Sequence, residues 1–279
     1  MEIAKLSKLI TPSGTMAISN KARVLREQGK PVIGFGAGEP DFPTPEYVIK
    51  DVQAAAEDTS NHKYSPVAGL TILKEEIVRT SELYSGINVK QENVLVSNGG
   101  KHAILTTFMS ILNPGDEVLI PSPYWTTYPE AVKISGGNPV IVDTEFDDDF
   151  KINTDQLDSL KTSKTKVLVW VSPSNPTGVV YTKEEAEKIY NWAFENNVWI
   201  LSDELYEHLV YEGITSPSPA QYDTELNNTI VINGVAKAYS MTGWRVGWII
   251  ANADVIDMAK KIQSHATSNV ANISQIAAY

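Results

Sequence analysis

No cysteine occurs among the 279 residues, so disulfide scaffolds, cysteine-ligated zinc and thiol nucleophiles are excluded outright. Positive charge is scarce as well: 23 Lys and Arg stand against 34 Asp and Glu, a formal net charge of -11 with an isoelectric point near 4.9. That balance opposes any role that neutralises phosphates along a nucleic acid or an anionic membrane surface, although isolated cationic pockets are compatible with it. No apolar run approaches bilayer-spanning length. The N-terminal "MEIAKLSKLI" lacks the apolar core and small-residue cleavage site of a secretory leader, so the expected location is the cytoplasm. What the chain does have is 42% hydrophobic and 20% charged residues, enough for one large domain with a smaller part, or for two domains.

Short β-rich runs recur along the chain: "NVLVSN", "DEVLIPS", "NPVIVDT", "KVLVWVSP", "VWILSDE", "TIVING" and "VGWIIA". Several are apolar almost throughout, as strands covered on both faces must be. Between them lie helical patterns such as "KHAILTTFMSIL" and "TKEEAEKIYNWAFENN", the second opening with Thr182 three residues before Glu185, a capping-box spacing. Alternation of strand and helix predicts an α/β fold, a mostly parallel sheet with helices on both faces. The beginning differs: "SGTMAISNKARVLREQG" reads as a helix, and "GFGAGEPDFPTPEY" reads as an extended Gly/Pro-rich link. Its glycines are spaced G-x-G-x-G and prolines follow, so it is not a dinucleotide fingerprint.

In such sheets ligands collect beyond the C-terminal ends of the strands, and polar residues there are the candidates. Gly99 and Gly100 follow "NVLVSN" and open a helix near Lys101; they form either an anion site on free helix amides or an ordinary strand-to-helix turn. Tyr124 and Trp125 follow "DEVLIPSP", and an aromatic there either stacks on a planar ring or belongs to the core. Asn175, held by Pro176, offers a fixed donor or a plain turn. Asp203 ends "VWILSD" and Tyr206 follows three residues later; one helical turn would put carboxylate and phenol on the same side. "DELYEH" supplies one histidine where a zincin needs two, so no metal is expected. Lys237, flanked by small residues and with Arg245 eight positions on, suits a lowered pKa and Schiff-base formation, or is a solvated surface lysine. Arg245 offers a fork for a phosphate or a structural salt bridge.

Taken together, the ordered set Tyr64-x(4)-Gly69, "NGGKHA", "PSPYW", "SPSNPTG", "SDELYEHLVY" and "AKAYSMTGWRVGW" resembles the fold-type-I, class I/II aminotransferases that use pyridoxal 5'-phosphate, and within them the bacterial aspartate aminotransferase branch. The resemblance extends over essentially the whole chain and implies the large domain of that fold, with a seven-stranded sheet. It assigns residues 46–279 to the cofactor-binding domain and 1–45 to the N-terminal segment of a small domain, whose C-terminal remainder is expected to be absent together with the arginine that grips the substrate α-carboxylate.

Carried over by position, the resemblance implies that Lys237 forms the Schiff base and shuttles the substrate proton. Asp203 would hold the pyridine nitrogen protonated, Asn175 and Tyr206 would bond the ring's phenolic oxygen, and Trp125 would stack on the ring. The phosphate would rest on Gly99, Gly100 and Arg245, with Tyr64 supplied by the other subunit of a homodimer. Gly38 would meet the substrate carboxylate through its backbone, with Trp125 and Asn175 also lining the substrate site. Lys101 would read the distal acid group, favouring aspartate, glutamate and 2-oxoglutarate, with prephenate as a variant. A C–S lyase of the same fold and a catalytically dead cofactor-binding relative are the alternatives. Ala236 stands where many relatives carry serine, so a hydroxyl contact to the phosphate is not expected.

Overall fold

The computed structural model describes residues 2–36, 38–211 and 213–279. Seven strands form one sheet: β1 (Val94–Ser97), β2 (Glu117–Pro121), β3 (Asn138–Val142), β4 (Thr165–Val171), β5 (Trp199–Asp203), β6 (Thr229–Gly234) and β7 (Gly247–Ile250). Each coincides with one of the seven apolar runs to within two residues. Their spatial order is β1-β7-β6-β5-β4-β2-β3. All neighbours pair in parallel except β7, which runs antiparallel to both β1 and β6. The C-terminal ends of the other six strands, and the N-terminal end of β7, therefore share one edge.

Alternation along the strands divides the core in two. On one face Leu95, Val118, Val167, Leu201, Ile230 and Ile249 pack beneath three helices: α5 (Gly100–Ile111), α6 (Thr127–Ile134) and α9 (Ala253–Ala266). Ala103, Ile104, Thr107 and Phe108 form the buried stripe of α5. Helical spacing puts these positions on one side, and Phe108 alone contributes about 2 kcal/mol on burial.

The other face has two clusters. Leu119, Leu168, Trp170 and Ile200 meet α7 (Thr154–Leu160) and α8 (Lys183–Glu195), while Val94, Val96, Val231 and Ile250 meet α3 (Glu46–Glu57), α4 (Thr71–Thr80) and α10 (Asn272–Ala278). Helix α8 starts as its sequence predicts: Glu185 donates its amide to Thr182 Oγ1 at 3.2 Å, and Thr182 donates its own to Glu185 Oε2 at 2.7 Å.

Upstream, α1 (Lys5–Leu9) buries nothing and α2 (Gly14–Glu27) buries only Ala22. The chain is tied back to α6 where the Thr11 amide donates to Glu130 Oε2 at 2.9 Å. Among its described residues, the Gly/Pro-rich link then runs without helix or strand to α3.

Candidate active site

The strand ends bring most of the candidate residues to one edge of the sheet. Asp203 is the last residue of β5 and is fully enclosed on the α6 face. Its Oδ2 accepts the Tyr128 phenol at 2.7 Å, and its Oδ1 accepts the Leu205 amide at 3.3 Å. Burial pushes the Asp203 carboxyl up to about 6; the Tyr128 hydrogen bond, the Leu205 amide and the Lys237 charge oppose that rise. The residues after Asp203 form a turn and not the helix that the three-residue spacing suggested. Even so, Tyr206 returns to the site, where Asn175 Nδ2 donates to its phenol oxygen at 3.4 Å. Burial and the Asp203 charge hold the Tyr206 phenol above its usual range.

Lys237 follows β6 and is half-buried, with its ammonium 5.6 Å from the centre of the Tyr206 ring. Burial lowers its basicity and Arg245 lowers it further, against opposing pulls from Glu39 and Asp203. The guanidinium thus acts in the direction expected from the sequence, but desolvation is the larger cause. Lys237 Nζ donates to the Gly38 carbonyl at 2.5 Å, so the Gly/Pro-rich link lies directly over the lysine. Thr242 Oγ1 donates to Glu39 Oε1 at 3.0 Å, fixing the same link to the turn after Lys237.

Arg245 sits just before β7 in the left-handed region, φ 58°. Its guanidinium donates to the Thr242 carbonyl at 2.9 Å and the Asn98 carbonyl at 3.3 Å. The Gly99 backbone lies against it: with φ +81°, Gly99 takes a conformation that favours glycine, and a Cβ there would stand 2.6 Å from Arg245 Nη2. The Gly99 amide donates to the Ser97 carbonyl at 2.7 Å. Of the two expected amides this leaves Gly100, joined by Lys101, in the first turn of α5, where a helix provides no internal acceptor.

Trp125 and Lys101 form a second group beside this one. The Lys101 ammonium lies 5.2 Å from the Trp125 ring centre, and burial and Arg245 both lower its basicity. Trp125 meets Tyr128 edge-on, with centroids 5.7 Å apart and planes at 89°. A cavity of about 450 Å³ opens between Lys101, Tyr124, Glu130 and the Thr11–Gly14 segment. Tyr64, by contrast, is 91% exposed. In "DELYEH", Glu207 accepts from Ser85 Oγ at 2.7 Å and Asn233 Nδ2 at 2.6 Å, and His208 packs edge-on against Tyr84.

Two residues of this region escaped the sequence reading. Tyr128 carried no signal, because its partner Asp203 is 75 positions away. Glu204 is fully buried and accepts both Ser202 Oγ at 2.6 Å and Ser218 Oγ at 2.5 Å. Burial, with Glu207 nearby, pushes its carboxyl up to about 8.

Comparison with known proteins gives the family and the overall fold. The family model described as "Aminotransferase class I and II" matches residues 30–279. An aspartate aminotransferase of Streptomyces avermitilis is 52% identical over 94% of this chain, which spans 65% of that protein. One of Bacillus sp. (strain YM-2) is 46% identical over 99% of the chain, which spans 70% of it. The Thermus thermophilus aspartate aminotransferase structure with maleate superposes with a TM-score of 0.95 at 39% identity, covering 99% of this chain and 72% of that one. The seven-stranded sheet is thus one that this chain shares with a solved aspartate aminotransferase, and the chain belongs to the class I and II aminotransferases.

Proposed function

We propose that the chain binds pyridoxal 5'-phosphate and moves an amino group between an amino acid, aspartate or glutamate first, and a 2-oxo acid such as 2-oxoglutarate. The observation that carries this reading is the convergence of Lys237, Asp203, Tyr206, Asn175, Arg245 and the α5 N-terminus on one sheet edge. The cofactor fits the residues present: a guanidinium lies against the start of a helix at a glycine whose positive φ disfavours any larger residue, which is the chemistry of a phosphate cradle. A buried carboxylate stands beside Lys237, where a ring nitrogen needs an anionic partner.

Once bound, the cofactor supplies an electron sink for the pair left behind when the substrate α-proton departs. The rest is the work of this chain. Lys237, whose proton is loosened by burial, attaches the cofactor and carries the α-proton. Asp203 holds a proton on the ring nitrogen, Asn175 and Tyr206 bond the ring's phenolic oxygen, and Trp125 covers the ring face. Gly99, Gly100 and Arg245 form the phosphate cradle, with the amides of Gly100 and Lys101 as its donors, joined by Tyr64 from a second subunit. Gly38 meets the substrate carboxylate through its backbone, and Lys101 reads the distal acid group. In this reading residues 46–279 form the cofactor domain, 1–45 contribute to a smaller one, and the protein works as a cytoplasmic homodimer.

The test is an absorbance spectrum of the chain with pyridoxal phosphate, before and after aspartate, beside Lys237→Ala. The expected outcome is a visible band in the wild type that bleaches with aspartate, no such band in the variant, and a borohydride-fixed adduct mapping to Lys237. A folded wild type without the band, or a variant that still yields a reducible covalent adduct at the site, would sink the proposal.

A further inference from the structure

We infer that Tyr128 is a positioning residue for the cofactor site, holding Asp203 ionised and aimed through its phenol and holding Trp125 in place through its ring. The inference rests on the role proposed above for Asp203. Tyr128 lies in the first turn of α6, fully buried, at the crossing of two of the proposed cofactor contacts. Its hydroxyl donates to Asp203 Oδ2 at 2.7 Å, and its ring edge meets the Trp125 indole. Other groups facing Asp203 are the Leu205 amide, Tyr206 and Lys237, with Glu204 next in sequence.

The chemistry explains why such a donor is needed. A carboxyl this enclosed is pushed towards its neutral form by desolvation, and in that form it cannot hold a proton on a ring nitrogen. A hydrogen bond to the charged form favours the anion, and a buried phenol that itself resists ionisation donates without competing for charge. Because the hydroxyl engages Oδ2 while Leu205 engages Oδ1, the carboxylate plane is fixed from two directions.

The experiment is a pH titration of ¹³C-carboxyl-labelled aspartate in the chain without cofactor, with the Asp203 resonance assigned by its loss in Asp203→Asn. Tyr128→Phe keeps the ring against Trp125 and removes only the donor. The Asp203 midpoint is expected to rise by about one pH unit or more, at least a tenfold change in its acid dissociation constant. An unchanged midpoint in the folded variant overturns the inference. Should Tyr128→Phe fail to fold, 3-fluorotyrosine in the wild-type chain gives a second readout. The ¹⁹F resonance displaced by Asp203→Asn should titrate with Asp203, and one that ignores that midpoint overturns the inference equally. Neither readout depends on cofactor binding, so failure of the proposed function and failure of this inference are separable.

Discussion

Glu204 makes a prediction that belongs to a single residue. In the unfolded chain its carboxyl releases a proton near its ordinary 4.5; in the folded chain it holds that proton to about 8. Between those values the native state binds more protons than the unfolded one, so this residue's contribution is fully present below pH 4.5 and is lost as pH rises through 8. The unfolding free energy of wild type relative to Glu204→Gln should therefore fall with rising pH, at about 1.4 kcal/mol per unit inside that window. Denaturant melts at several pH values check this, and parallel curves for the two proteins would refute it. Glu204 also shows where sequence reading stops at this scale. Lys237, Asp203, Asn175 and Arg245 were legible because each follows or precedes a strand that announces itself by its apolar run. Tyr128, which bonds Asp203, and Ser218, which bonds Glu204, are brought in by the tertiary fold from 75 and 14 positions away, and no local pattern encodes such meetings.

Helix α8 carries the prediction for elements. Its capping box satisfies two backbone donors reciprocally, and Lys151 adds a half-buried ion pair to the same Glu185 at 2.9 Å. Thr182→Ala should lose about 1 kcal/mol of stability while Thr182→Ser retains most of it. Urea unfolding midpoints decide this, and an unaltered alanine variant would mean that tertiary packing of Ile189 and Trp192 alone sets the helix start. At this scale the sequence was most informative. The seven runs are rich in Val and Ile and flanked by turn residues, so period and propensity agreed on strands. The insertion of β7 between β1 and β6 was not legible, because "VGWIIA" is as apolar as its parallel neighbours and direction leaves no mark on composition. The turn after Asp203 was misread for a related reason: a spacing of three fits a helix and a compact turn alike.

For the whole molecule, the proposed homodimer gives the test. Tyr64 is 91% exposed in the single chain, as are most side chains of the Gly/Pro-rich link, including Phe35 at 94%. Sedimentation of the cofactor-loaded chain should show a dimer, with Tyr64→Phe weakening cofactor retention; a monomer that retains cofactor normally would refute shared sites. The orientation of the strands has one more consequence. Because β1 to β6 all open towards one rim and β7 begins there, the opposite rim carries connections such as Leu112–Asp116 and the exposed Thr162–Lys164. Those connections lie at the far ends of the strands from the chemistry. The molecule thus has a working rim and a rim of connections, and a tether or dye placed at Thr162–Lys164 would leave the working rim facing solution.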